Sequence, residues 1–206
     1  MNFCQKEWLG SWVNFEGYLN SKEPAMVQCW QEAEAAAQKM PMFRQGVKQF
    51  WSTACNTVQN GNTVRLSGWH IQPMSDGLLV QWIGEDGKDL GTGQYTLKEI
   101  VPKGLEGKEN YLFEAKNVPE DWTFRYLLAM EPMPNRNAKE NGGLLSHLHF
   151  QFGADIECLL QNGKLTNPTW YATMCAGDGT LLDCCNIVRA LHKLPCWEEL
   201  PQKDVR

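Results

Sequence analysis

The chain has 206 residues but lacks both long hydrophobic runs and clusters of basic residues. No apolar stretch approaches the roughly 18 residues that indicate a membrane-spanning helix. The net charge is −5, and lysine and arginine are dispersed along the sequence. Binding to nucleic acids or to anionic membranes depends on basic clusters. The sequence therefore predicts a soluble protein with no nucleic-acid or membrane partner.

A secretory leader and paired cysteine motifs are also absent. Residues 1–8 read MNFCQKEW, without the basic stretch followed by an apolar stretch that is typical of a signal peptide. The eight cysteines include no C-x-x-C pair, and a chain of this length can bury a core without disulfide bonds. We therefore expect one cytoplasmic domain over residues 1–206 with reduced, mostly buried cysteines. A soft-metal or redox role for some cysteines is the alternative.

Helical patterns occur towards both ends of the chain. Residues 24–39 begin with proline, continue with strong helix formers and are followed by Pro41, which together predict a helix. Residues 43–54 carry an apolar stripe at helical spacing. Residues 181–194 predict a closing helix, which Pro195 ends.

The middle of the chain, residues 57–175, has the pattern of a β-sheet protein. Asn60-Gly61-Asn62 is a hairpin signal, and further turns rich in Gly, Asn or Pro separate short strands. This rhythm predicts an antiparallel barrel or sandwich. A helical region over residues 1–56 and a C-terminal helix and tail over residues 176–206 are expected to flank it. The predicted strands are 63–66, 77–83, 93–97, 110–116, 122–131, 145–152 and 169–174.

Two histidines form the sharpest local signal for chemistry. His147 and His149 stand two residues apart in a predicted strand, so both imidazoles are expected on the same face. Imidazole is a ligand for zinc, copper, nickel and iron, and such a pair can supply two ligands to one ion. The alternative is a pair of hydrogen-bonded histidines without metal.

A zinc site needs a third protein ligand. Glu131 ends the strand that is expected to pair with the histidine strand across the long polar loop at residues 132–143. This position makes it the candidate carboxylate ligand, and a solvated glutamate is the alternative. His70 could reach the same site from another strand. His192 is predicted to be a cation in the last turn of the closing helix.

The nine tryptophans are many for a chain of this length. They predict either an aromatic cavity that holds an apolar or planar ligand, or a core that they simply fill. The sequence shows no G-x-S-x-G motif, no P-loop and no dinucleotide fingerprint. Enzymatic activity therefore stays open.

Several segments, taken in order, resemble one known family. The tryptophan-rich opening and the S-H-x-H strand are the most specific of them, and together the segments extend over residues 7–172. They are similar to the ZinT family of periplasmic zinc- and cadmium-binding proteins, whose fold is a calycin (lipocalin-like) antiparallel barrel with packed helices. The segments are residues 7–12 (EWLGSW) with 18–19, residues 60–66 (NGNTVRL), residues 111–114 (YLFE), residues 146–150 (SHLHF) and residues 167–171 (NPTWY).

The resemblance implies that His147 and His149 bind zinc together with a third histidine upstream. The corresponding stretch, residues 128–133, has no histidine. Glu131 in that place would keep a zinc-like site, whereas Met130 would favour a softer ion such as copper(I). Family members are secreted and carry a disulfide beside the YLFE strand, which here continues without cysteine. This difference fits a cytoplasmic relative.

These observations lead to one main hypothesis and two alternatives. The main hypothesis is a protein that binds a divalent transition metal, such as zinc, through His147, His149 and Glu131 at a barrel mouth, for metal buffering or transfer. The first alternative is a metal-dependent or histidine-based enzyme. The second is a metal-free, lipocalin-type module. Both alternatives would act on a small apolar or aromatic ligand in a tryptophan-rich cavity.

Overall fold

A computed structural model of the protein describes residues 3–37, 40–58 and 64–201. Within these residues the fold is mainly β, with eight antiparallel strands that close into a barrel and a few helices. This confirms the predicted fold class. The strands are β1 Gly10–Asn14, β2 Leu66–Met74, β3 Gly77–Gly84, β4 Asp89–Val101, β5 Asn110–Lys116, β6 Tyr126–Met130, β7 His147–Gly153, the short hairpin β8 Leu160–Gln161 and β9 Lys164–Leu165, and β10 Ala172–Ala176. The helices are α1 Glu16–Asn20, α2 Pro24–Ala37, α3 Val47–Ala54 and α4 Leu181–Leu191.

The barrel closes through its first strand. The order around the barrel is β1-β10-β7-β6-β5-β4-β3-β2, so β1 pairs with both β2 and β10. Trp12 of β1 lies opposite Trp69 on one side and Ala176 on the other. Because every strand of the barrel has two neighbours, no strand edge is left unpaired. Strand β1 lies inside residues 1–56, which were predicted to be helical, because five residues are too few to display a clear period.

Aromatic side chains fill the interior of the barrel. Trp69, Trp82 and Phe150 are fully buried and come from three different strands. The ring centre of Trp69 lies 4.6 Å from that of Phe150 and 5.0 Å from that of Trp82. Trp82 also stacks on Phe124, with ring centres 4.3 Å apart. Where these rings meet, the tryptophans therefore act as core residues rather than as the wall of a ligand cavity.

Helices α3 and α4 are joined beside the barrel by a buried histidine. Trp51 Nε1 of α3 donates a hydrogen bond to His192 Nε2 over 3.0 Å, and His192 Nδ1 donates to the Val188 carbonyl over 2.7 Å. Burial lowers the pKa of His192. The prediction of a cationic His192 is therefore wrong, because the ring is enclosed and its Nε2 lone pair accepts a hydrogen bond.

The remaining sequence predictions differ from the structure mainly in their bounds, and the strand predicted at residues 63–66 overlaps β2 only at Leu66. The helix predicted at residues 24–39 is described as far as Ala37, and the closing helix ends at Leu191 after beginning with a Thr180–Asp183 capping box. The hairpin signal at residues 60–62 lies outside the described residues. Among the described residues, no helix has the length and hydrophobicity that crossing a membrane requires.

Removing one interior tryptophan is expected to destabilise the barrel strongly. Trp82→Ala leaves a cavity among fully buried aromatic rings, and such truncations cost about 3–5 kcal/mol of unfolding free energy. Urea unfolding followed by fluorescence measures the change. Met42→Ala is the control, since Met42 is 57% exposed and its truncation is expected to cost less than about 0.5 kcal/mol. Equal losses in both variants would contradict a core role for Trp82.

Candidate metal centre

The two predicted histidines lie on the outer face of the barrel wall. Successive residues of a strand point to opposite faces of the sheet. Phe150 of β7 points into the barrel, so His149 and, two residues before it, His147 point outwards. They face helices α3 and α4 across a small cavity of about 20 Å³. The expected position at the barrel mouth is therefore wrong. The cavity is lined by Phe15, Trp51, Cys55, His147, His149, Thr173, Cys175, Ile187 and Leu191.

The size of this cavity limits what it can hold. A volume of about 20 Å³ has space for one water molecule or one ion. A small organic molecule needs a cavity of roughly 300 Å³ or more. The cavity beside the histidines can thus accept an ion but not an organic substrate, unless the helices move.

His149 is held by hydrogen bonds that define its protonation. Its Nδ1 lies 2.7 Å from Thr173 Oγ1, and that hydroxyl donates its own proton to the Tyr171 carbonyl over 2.7 Å. Thr173 therefore accepts from His149, which places a proton on Nδ1. Nε2 of the same ring lies 3.4 Å from Glu106 Oε1. With the proton on Nδ1, the Nε2 lone pair faces this carboxylate oxygen, and a metal cation between the two atoms would be attracted by both.

Glu106 is a site residue that the sequence prediction missed. It lies in the turn between β4 and β5, with a positive φ of 54°, and its Oε2 is 3.0 Å from Lys108 Nζ. The hydrogen bond with His149, assisted by Lys108, lowers the pKa of Glu106 to about 2. Glu106 is therefore a carboxylate at neutral pH. Glu106 belongs to no recognisable sequence motif. It comes close to β7 only because the turn between β4 and β5 folds next to that strand.

His147 contributes a neutral imidazole to the same cavity. Its backbone exchanges two hydrogen bonds with Met133, and its ring centre lies 5.6 Å from that of His149. Burial, assisted by the neighbouring His149, lowers the pKa of His147 to about 4. Its buried Nδ1 has no hydrogen-bond partner in the described part of the chain. A neutral ring with a buried nitrogen that lacks a partner is suited to accept a metal or a water molecule.

Glu131 lines a cavity other than that of the histidine pair. It directly follows β6, which does pair with β7 as predicted. Its side chain lines a different cavity of about 440 Å³, together with Tyr111 and Met130. No hydrogen bond or ion pair among the described residues joins Glu131 to His147 or His149. Among the described residues, polar contacts join the histidine pair to Glu106 and not to Glu131.

His70 does not reach the pair either. It lies on β2, and its Nδ1 is 3.1 Å from Ser11 Oγ on the neighbouring strand β1. Strands β1 and β10 separate β2 from β7 in the barrel. With neighbouring strands about 4.8 Å apart, this corresponds to roughly 14 Å along the wall.

The donor set is incomplete as it stands. In residues 3–37, 40–58 and 64–201, no three His, Cys, Asp or Glu side chains converge closely enough to hold a metal ion. Two imidazoles and one carboxylate nevertheless border one another at β7. Metal binding here would require the Glu106 side chain, which is 39% exposed, to move towards His147.

Comparisons with known proteins do not assign the chain to a family. No family model matches the sequence, and no curated protein matches it either. Functional inference therefore depends on the geometry of the site and on the sequence resemblance already described.

The buried His147 is expected to make the metal-free protein less stable as the pH falls. Its pKa of about 4 lies below the value of about 6.5 in an unfolded chain, so the unfolded state binds more protons between these values. Between pH 7 and pH 5 this costs about 2 kcal/mol of stability. Urea unfolding in the presence of a chelator measures it. His147→Phe should reduce the loss by that amount, and an unchanged pH dependence would contradict the assignment.

Proposed function

We propose that the protein binds a divalent transition-metal ion through His147 and His149, with Glu106 as the third ligand in place of Glu131. The observation that carries the proposal is the 3.4 Å separation between His149 Nε2 and Glu106 Oε1. Two ligands at about 2.0–2.1 Å from a tetrahedral zinc ion lie about 3.3–3.4 Å apart. The separation is at the long end of the range for a hydrogen bond, and it also matches that of two ligands on one ion.

Thr173 supports the proposal as an orienting residue. Histidines that bind metals usually donate their second ring N–H to an oxygen, which fixes the tautomer and the ring orientation. His149 has this arrangement, because its Nδ1 contacts Thr173 Oγ1 and its Nε2 points towards Glu106. The hydroxyl also lies 3.4 Å from Cys55 Sγ, which can donate to it.

Apolar side chains border the histidine pair on the side of the helices. Trp51 of α3 and Leu191 of α4 line the outer side of the cavity. Apolar side chains would cover an ion on this side, whereas Glu106, which is 39% exposed, would hold it from the solvent side. Zinc-like ions suit this donor set of two imidazoles and one carboxylate. When bound, such an ion would supply Lewis acidity and would acidify a coordinated water.

The alternative functions have less support from the geometry. A metal-free ion pair between protonated His149 and Glu106 would also satisfy the 3.4 Å contact, and the histidines would then be structural. An organic ligand would not fit beside the histidines. The cavity of about 440 Å³ beside Glu131 is large enough for an organic ligand. If the protein is a metal-free binding module, this cavity is where it would bind that ligand.

Titration of chelator-treated protein with Zn²⁺, followed by calorimetry, tests the metal site and its third ligand. We expect binding of about one equivalent in the wild-type protein and none in the double variant His147→Ala, His149→Ala, with the barrel still folded by circular dichroism. Glu106→Gln should weaken binding at least tenfold, because the amide removes the charge of the ligand. Glu131→Gln is the matched control and should bind like the wild type.

If Glu131→Gln weakened zinc binding and Glu106→Gln did not, Glu131 and not Glu106 would be the ligand. Absence of binding in the wild-type protein would contradict the proposal as a whole.

Removing the Thr173 hydroxyl should weaken metal binding without removing a ligand. Thr173→Val keeps the shape of the side chain but leaves His149 Nδ1 without its partner, and losses of 10–100-fold in affinity are typical for such partners. Thr173→Ser retains the hydroxyl and serves as the control. Zinc affinity by competition with a chromophoric chelator measures both. Equal affinities for the Val and Ser variants would argue against an orienting role.

A further inference from the structure

Two fully buried thiols lie opposite each other where helices α2 and α4 pack together. Cys29 belongs to α2 and Cys185 to α4, and neither is exposed. Cys29 Sγ donates a hydrogen bond to the Cys185 carbonyl over 3.2 Å. The two thiols also lie close enough to shift each other's pKa, that of Cys29 downwards and that of Cys185 upwards. Both cysteines are free in this structure. The pair is separate from the histidine cavity, since neither residue lines it.

An ion pair fixes the register of the two helices beside the thiols. Glu32 follows Cys29 by three residues and Arg189 follows Cys185 by four, so each lies on the same helix face as its cysteine. Arg189 Nη1 forms an ion pair with Glu32 Oε2. Arg189 is itself held by the Pro195 carbonyl, at 2.6 Å from its Nε, and by the ring of Trp197. The thiols and the ion pair thus form two successive contacts across one interface.

The electrostatic environment distinguishes the two thiols. The neighbouring Cys185 thiol and the charge of Arg189 lower the pKa of Cys29, against the effect of burial. The neighbouring Cys29 thiol, together with burial, raises the pKa of Cys185. One thiol is therefore the better nucleophile and the other remains protonated, which is the arrangement of an attacking and a resolving cysteine.

We propose that Cys29 and Cys185 are a redox-active dithiol that a hydroperoxide oxidises to a disulfide between α2 and α4. The Cys29 thiolate attacks one oxygen of hydrogen peroxide, the O–O bond breaks, and sulfenic acid and hydroxide form. The Cys185 sulfur then attacks the Cys29 sulfur and displaces its hydroxyl group, which leaves as water with the Cys185 proton. The two thiols lose two electrons in total, and the peroxide is reduced to two waters.

The disulfide would restrain α4 against the rest of the molecule. Helix α4 supplies Ile187 and Leu191 to the wall of the histidine cavity, so a covalent bond to α2 would limit its outward movement. This consequence holds whether or not a metal binds there. Because both sulfurs are fully buried, oxidation requires local opening of the α2–α4 contact. The exposed Cys158 and Cys196 should therefore react with peroxide faster than the buried pair.

Peroxide oxidation followed by peptide mapping tests the proposal. The full chain, with Cys158→Ser and Cys196→Ser to prevent bonds between molecules, is treated with hydrogen peroxide and blocked with N-ethylmaleimide. It is then digested with trypsin without reduction. We expect a cross-linked product joining the peptide of Cys29 to the peptide of Cys185, which dithiothreitol cleaves. The same treatment should raise the midpoint of thermal unfolding reversibly and slow hydrogen exchange in α4.

Matched variants identify the resolving residue, because the tryptic peptide of Cys185 also contains Cys175 and Cys184. Cys184→Ser should still form the cross-link, whereas Cys185→Ala should lose it. Recovery of both peptides as maleimide adducts after prolonged oxidation of the folded protein would overturn the proposal. A cross-link that depends on Cys184 rather than Cys185 would overturn it as well. The first of these outcomes is read on the chain with its native helix cysteines, so it does not depend on the stability of the Cys184 and Cys185 variants.

Discussion

Closure of the barrel by β1 is the constraint on which the other features depend. Once β1 pairs with β2 and β10, each strand must alternate between a closed interior and the outer wall. The interior takes the large aromatic rings, and Phe150 of β7 points among them. The same alternation forces His147 and His149 onto the outer wall, where α3 and α4 cover them. The position of the histidines is thus a consequence of the aromatic core.

The histidine pair combines features that are costly without a function. His147 has a buried nitrogen without a hydrogen-bond partner in the described part of the chain, and His149 presents a ring nitrogen to a carboxylate. Thr173 and Tyr171 fix the tautomer that creates this contact. A cation between His149 and Glu106 would relieve the repulsion between lone pairs, and a proton would do so too. Metal binding and an imidazolium ion pair would each remove this repulsion between His149 Nε2 and the Glu106 carboxylate.

The sequence predicted the parts of the site that depend on local periodicity. A two-residue spacing in a strand put both histidines on one face, and strand pairing placed the residue after β6 near β7. Whether that face points into the barrel or away from it was not predictable, because the S-H-x-H spacing is the same in both cases. Glu131 was chosen for its position along the strand. Its side chain lines the cavity of Tyr111 instead, while Glu106 arrives from a turn with no motif of its own.

The sequence alone determined the mainly β class, the long helix of the first half, the closing helix and the pairing of two imidazoles on one strand. These follow from short-range patterns of apolar residues, Gly, Pro and β-formers. Only the tertiary structure decided that β1 closes the barrel, that His192 is neutral, and that Cys29 meets Cys185 across 156 positions of sequence. Each of these depends on contacts between distant segments, and such contacts are set by packing and not by the residues next to them in the chain.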